Sequence, residues 1–176
     1  MLDRIGSIAI FDKTKLSKQK AIDFILKHYK NRINSIYSIS SKTSSKFRIK
    51  KHTYVWGEKN TITIHKENKT LFKLDINKVF FSPRMAFERM RIAKQVKKNE
   101  NVLVLFAGIG PFPIIISKYS NAKKIIGIEL NKDAYNFFLE NIKLNKCINV
   151  EPVYGDVKKV LKSKKFFNWA DRIVMP

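Results

Sequence analysis

The chain has 176 residues, 44% hydrophobic and 12% aromatic, enough apolar material for one generous domain or two small ones, so it is expected to be globular. Its formal net charge of +22 far exceeds what solubility requires, and a polyanionic partner explains it best, nucleic acid ahead of a membrane surface. The single cysteine, Cys147, excludes an internal disulfide, no Cys/His cluster has metal-ligand spacing, and there is neither a signal pattern nor an apolar run near the ~18 residues that span a bilayer. The expectation is an intracellular, cytoplasmic protein without a metal and without a membrane segment.

The charge is unevenly placed. Residues 1 to 100 carry 24 Lys and Arg against 8 Asp and Glu, whereas residues 101 to 176 carry 12 against 6. A lysine-rich surface throughout would not produce this asymmetry, so the first part is expected to face phosphates.

In chain order, Ile5 to Phe11 is a short β-rich run, and Ser17 precedes a stretch with Ile22, Ile25, Leu26 and Tyr29 at helical spacing. Ile33 to Ile39, Phe47 to Trp56 and Thr61 to Ile76 are β-branched and aromatic and are separated by turn-forming residues. Residues 1 to 78 therefore read as a small basic α+β domain with an antiparallel sheet. Ser82-Pro83 suits a helix start, and Ala86, Met90, Ala93 and Val96 form an apolar stripe, so residues 79 to 100 are expected to hold a connecting helix.

From residue 101 to 176 the pattern changes. The runs around Val102, Ile125, Val150 and Ile173 read as strands that alternate with helices, which predicts a parallel, doubly wound α/β sheet. Ligands of such sheets lie outside the carboxyl ends of the strands, where Gly108, Glu129 and Asp156 are expected. Gly108 and Gly110 permit close backbone approach, but the turn lacks the third glycine of the dinucleotide fingerprint and is weak alone. Glu129 closes the second strand, where a carboxylate can accept from both hydroxyls of an adenosine ribose. Asp156 could accept from an adenine amino group or simply cap the helix that follows, and the two roles are compatible.

These residues carry a resemblance. Phe106-Ala-Gly-Ile-Gly-Pro-Phe112, Glu129-Leu-Asn131, Asn141-Ile-Lys-Leu-Asn145 and Gly155-Asp156-Val157 closely resemble the archaeal and eukaryotic tRNA guanine-37 N1-methyltransferases. Upstream, His65-Lys-Glu-Asn68, Phe72, Asp75, Val79-Phe-Phe-Ser-Pro-Arg84 and Glu88-Arg89 look like the same family's linker region, so the similarity covers roughly residues 5 to 175. The resemblance implies a Rossmann-like class I methyltransferase domain behind a small α+β RNA-facing domain, with S-adenosylmethionine as cofactor and tRNA as partner. It implies Phe106, Gly108, Gly110, Glu129 and Asp156 as cofactor-binding residues.

Methylating guanine N1 requires loss of its proton while negative charge builds toward O6, so a base and a cationic stabiliser are needed. The resemblance assigns Glu88 as base and Arg48 as stabiliser, with Arg84 and Arg89 binding substrate. The plainer alternatives are a helical salt bridge between Glu88 and Arg84, and one phosphate contact among many for Arg48. Tyr54, Trp56, Phe80 and Phe81 could stack on a base, although strand aromatics are more often core.

Two departures from the family pattern bear on activity. Val104 stands where relatives carry an acidic residue that helps hold the methionine end of the cofactor, which implies weaker or rearranged binding. The fourth strand ends at Pro176 where the family continues with an Asn-Leu-Pro-like segment, so only four of about seven expected strands are visible and the sheet is expected to be incomplete. The alternatives are an aminocarboxypropyl transferase of wyosine synthesis, disfavoured because that sister family typically shows Ser-Gly-Asn where this chain has Ser82-Pro83-Arg84, a non-catalytic RNA-binding module, and a methyltransferase acting on another RNA.

Overall fold

The computed structural model describes residues 2–39 and 47–176, and the chain divides into two compact units. The first comprises residues 1–66 and 73–83, and the second residues 67–72 and 84–176. The boundary expected near residue 78 thus becomes an exchange of short segments. The helix expected to connect the domains belongs to the second unit, and so does the tip of a hairpin from the first.

In the first unit β1 (Leu2–Ile5), β2 (Ile8–Asp12), β3 (Ser35–Ile39) and β4 (His52–Gly57) form one sheet in that order. The β-rich run from Ile5 to Phe11 comprises the end of β1, a turn at Gly6 and Ser7, and most of β2, with Ile5 opposite Ile8. Helix α1 (Lys18–Tyr29) then crosses over, making β2 and β3 parallel. The sheet is therefore mixed rather than antiparallel. The cause is the apolar face of α1, whose Ala21 and Ile25 pack with Ala9, Phe11, Ile33 and Ile36 and bury one side of the sheet. Strands β5 (Ile62–Glu67) and β6 (Thr70–Asp75) form a separate two-stranded hairpin, turned by Asn68 and Lys69 at φ 44° and 54°.

The second unit contains α2 (Ala86–Gln95), β7 (Asn101–Leu105), α3 (Pro111–Tyr119), β8 (Lys124–Glu129), α4 (Lys132–Leu144), β9 (Val150–Tyr154), the single turn α5 (Val157–Val160) and β10 (Arg172–Val174). The four strands are parallel, in the order β10-β7-β8-β9. Near-continuous apolar runs place Val102, Leu103, Val104, Ile125, Ile126 and Ile128 in its core, as a sheet covered on both faces demands. The chain proceeds outward from β7 through β8 to β9 and returns to the opposite side of β7 for β10. The carboxyl ends of β7 and β10 therefore form a topological switch point, where a crevice is expected.

Among the described residues no helix is long and apolar enough to cross a membrane.

Candidate active site

The glycine bend follows β7 directly. Phe106 takes a left-handed conformation, φ 55°, unusual for an aromatic residue, and its ring is exposed at the strand end. Gly108 is also left-handed at φ 58°, and the space where a Cβ would project is empty to 4 Å. Gly110, at φ 85°, caps α3, and a Cβ there would lie 2.0 Å from the ring of Phe138. The two glycines differ in surroundings: Gly108 borders open space, and Gly110 lets α3 approach α4. Buried Asn141 on α4 adds a tie by donating to the carbonyl of Ile109 at 3.1 Å.

Glu129 closes β8 and converges on the bend. Its carboxylate accepts from the backbone N–H of Gly108 and from that of Asn131, each at 2.7 Å. Each oxygen keeps unused acceptor capacity, which is what binding a diol requires. The third strand end joins this group through the N–H of Gly155, which donates to the Glu129 carbonyl at 2.9 Å. Asp156 caps α5, accepting from the N–H of Lys158 at 2.8 Å, so the capping role is present and a carboxylate oxygen remains for a ligand. Sequence placed these residues on one edge, and the hydrogen bonds show that they form one cluster. Val104 is fully buried in β7 and offers the crevice no acceptor.

At the switch point, a cavity of about 300 Å³ is lined by Met85, Glu88, Ile92, Phe112 and residues 172–176. Phe112 lies on the first turn of α3, so this cavity opens at the same carboxyl edge as the glycine bend. Glu88 is partly exposed there. Both its oxygens accept from Arg91, at 2.7 and 2.6 Å, and that guanidinium holds its carboxyl below the ordinary carboxylate range. The helical salt bridge weighed for Glu88 thus exists, with Arg91 at i+3 as the partner rather than Arg84. The pairing was readable in the sequence, since i+3 and i−4 positions neighbour Glu88 equally.

Arg89 requires a correction. Expected to bind substrate, it is only 2% exposed, and its guanidinium forks onto Glu67, with Nε at 2.6 Å from Oε1 and Nη2 on Oε2. A desolvated guanidinium already matched to a carboxylate has no face to offer an incoming phosphate. Arg84 remains exposed, on the short 3-10 turn Pro83–Met85.

Arg172 was missed by sequence reasoning. It forms one wall of the cavity by pairing with Glu100 at 2.7 and 3.0 Å and donating to the carbonyl of Gln95 at 2.9 Å. No spacing rule relates residues more than seventy positions apart, so the sequence carried no signal for it.

Arg48 lies in the first unit, exposed and at φ 56°. Of the aromatics there, Phe81 is core, 5.1 Å from the His65 ring, while Phe80, Tyr54 and Trp56 are partly exposed. The Tyr54 hydroxyl donates to the carbonyl of Gly57 at 2.5 Å and Lys59 lies over its ring. No group of three or more His, Cys, Asp and Glu arranged to hold a metal occurs among the described residues.

A parallel sheet with a glycine bend, a strand-end carboxylate anchored on that bend, and a cavity at the switch point define a Rossmann-like domain of the class I methyltransferase type. The chain belongs to the TRM5/TYW2 methyltransferase domain family, whose model matches residues 63–176. It is 39% identical over 176 residues to the tRNA (guanine(37)-N(1))-methyltransferase Trm5b of Pyrococcus abyssi, covering 98% of this chain and 51% of that protein. The solved complex of aTrm5 with tRNALeu superposes with a TM-score of 0.84 at 34% identity, covering 98% of this chain and 50% of that one. Methanocaldococcus jannaschii TYW2 in complex with AdoMet superposes with a TM-score of 0.69 at 32% identity, covering 98% and 63% respectively. The chain spans about half the length of the curated relatives it matches.

Proposed function

We propose that this chain is the catalytic region of a cytoplasmic, S-adenosylmethionine-dependent tRNA (guanine-37 N1)-methyltransferase. The observation that carries the reading is the Glu129 carboxylate, fixed by the N–H of Gly108 at the carboxyl edge that also holds the Glu88 cavity.

The residues present fit the cofactor. The open space beside Gly108 admits a ligand against the backbone, Glu129 retains acceptors for the ribose hydroxyls, and Asp156 retains one for the adenine amino group. Phe106, exposed at the strand end, would pack on the bound molecule, and Gly110 would keep the bend in shape. S-adenosylmethionine supplies an electrophilic methyl group.

The chain's own residues supply the proton chemistry. Glu88, a carboxylate on the cavity wall, would accept the guanine N1 proton as that nitrogen becomes nucleophilic. Because the Glu88–Arg91 pair is partly exposed, an incoming nucleotide can compete for Arg91 at small cost and free the carboxylate. Arg48 would stabilise charge on O6 and Arg84 would hold RNA, roles that rest on the resemblance. The basic first unit is the tRNA-contacting part, supported by the uneven charge.

The test is transfer of a labelled methyl group to transcripts that carry guanine or another base at position 37. Incorporation restricted to guanine 37 supports the assignment, and incorporation that persists after the change refutes the substrate. One observation favours a second reading: Val104 is buried and offers no acceptor where the resemblance calls for an acid, which fits an RNA-binding protein without catalysis. Calorimetry with S-adenosylmethionine decides, since a folded chain that releases no heat would be the binder.

A further inference from the structure

Helix α2 carries the proposed base and packs along α3, yet few of its side chains are fully covered. Of its ten residues only Arg89 and Ala93 are buried, and its N-terminus has no side-chain cap. Each residue of a helix is offset from the next by about 100°, so a small error in rotation would turn Glu88 off its target. Arg89 adds a directional constraint to the packing against α3. Its partner Glu67 stands on the hairpin tip that belongs to this unit, where it is 7% exposed.

The tip is itself held firmly. Asn145 on α4 donates to the carbonyl of Leu71 at 2.7 Å and accepts from its N–H at 2.9 Å. The Tyr119 hydroxyl on α3 donates to the carbonyl of Asn68 at 2.5 Å, and Asn68 reaches the carbonyl of Ala86 at 3.4 Å. A two-pronged ion pair tolerates little rotation because both N–H vectors must stay in the carboxylate plane.

We propose that the buried Glu67–Arg89 pair is a positioning device that sets the rotation of α2, so that Glu88, the adjacent residue, faces the cavity at the end of β10. The inference rests on the reading of Glu88 as base and assigns Glu67 and Arg89 no contact with substrate. Neither residue is a catalytic residue in this scheme.

The experiment compares Glu67→Gln, Arg89→Lys and the double variant Glu67→Leu/Arg89→Met in the full chain. The double variant guards against unfolding, because apolar replacement of a whole buried pair is often neutral for stability. Three quantities are read: affinity for S-adenosylmethionine by calorimetry, kcat and KM for methyl transfer to a guanine-37 tRNA, and the rate of disulfide formation between cysteines placed at Glu88 and Ile173, both on the cavity wall.

In variants that remain folded, cofactor affinity is expected to hold within about twofold and KM within about threefold, while kcat falls about 100-fold, the effect of a base displaced by roughly 1 Å. Arg89→Lys, which keeps the charge but loses the fork, should fall between wild type and the double variant. Disulfide formation should slow about tenfold in the Glu67→Gln background, as a turned helix carries position 88 away from its partner. An unchanged kcat with unchanged cross-linking overturns the proposal, as does a parallel loss of cofactor affinity and kcat, which would mark a general structural role. Full activity in Glu88→Gln would instead sink the reading of Glu88 as base, and the cross-linking comparison would still decide whether the pair orients residue 88.

Discussion

The N–H of Gly108 donates to the carboxylate of Glu129 at 2.7 Å, across twenty-one positions of sequence. This contact makes the glycine bend and the strand-end acid one object, because the carboxylate that would receive a ribose also sets the backbone against which that ribose would lie. Glu129→Gln keeps one acceptor oxygen and removes the charge, and hydrogen bonds to charged groups contribute about 1.5 to 3 kcal/mol. Calorimetry should therefore show affinity for S-adenosylmethionine falling about 10- to 100-fold. Affinity within twofold of wild type would place the cofactor elsewhere.

The two glycines of the bend should respond differently to alanine. In Gly110→Ala the new methyl meets the Phe138 ring at 2.0 Å on left-handed backbone, and a stability loss of about 2 to 4 kcal/mol is expected in thermal unfolding. Gly108→Ala adds only backbone strain of about 1 kcal/mol, since the methyl projects into open space. Its effect should appear in ligand binding, as a loss beyond tenfold, because the methyl takes room the ligand needs. Equal unfolding temperatures for the two variants would contradict the division of labour.

Arg91→Gln probes the ionisation of Glu88. Hydrogen bonding from Arg91 depresses the Glu88 pKa, so its charged form persists to lower pH in the folded chain than in the unfolded one. The stabilisation this provides is present above the unfolded pKa and is lost as pH falls through the folded value. Removing Arg91 returns the pKa toward the ordinary carboxylate range. The acidic limb of kcat/KM should accordingly move to higher pH, and a limb that stays in place would show that Glu88 is not the group titrating.

Association with RNA should be strongly salt-dependent. Each neutralised phosphate removes roughly 0.7 to 0.9 log units of affinity per tenfold rise in salt. Titrations at several ionic strengths give the slope directly, and a flat dependence would mean that the basic residues do not grip phosphates.

Much of the α/β unit was legible in the residues themselves. The runs at Val102, Ile125, Val150 and Ile173 became β7, β8, β9 and β10, and the central two are apolar nearly throughout because a strand buried on both faces has to be. The glycine bend, Glu129 and Asp156 were legible for a related reason: strand ends follow from periodicity, and parallel strands put their carboxyl ends on one edge. The parallel pairing of β2 with β3 was not, since the same strands and helix could have closed another way and only the burial of α1 decides it.

The side-chain partners also lay beyond the sequence. Arg89 and Glu88 are adjacent in the chain and both were candidates for the site, yet one is buried on Glu67 and the other opens to the cavity with Arg91. Which way a helical residue points depends on what packs against the helix, and here that is α3 together with a hairpin tip whose Glu67 lies twenty-two positions upstream of Arg89. By itself the sequence determined the strand-helix order, the charge and the chemical types at the sheet edge, because these follow from local periodicity and composition. Tertiary structure alone decided which arginine is spent on holding the helix, because a buried charge is defined by the partner folded against it.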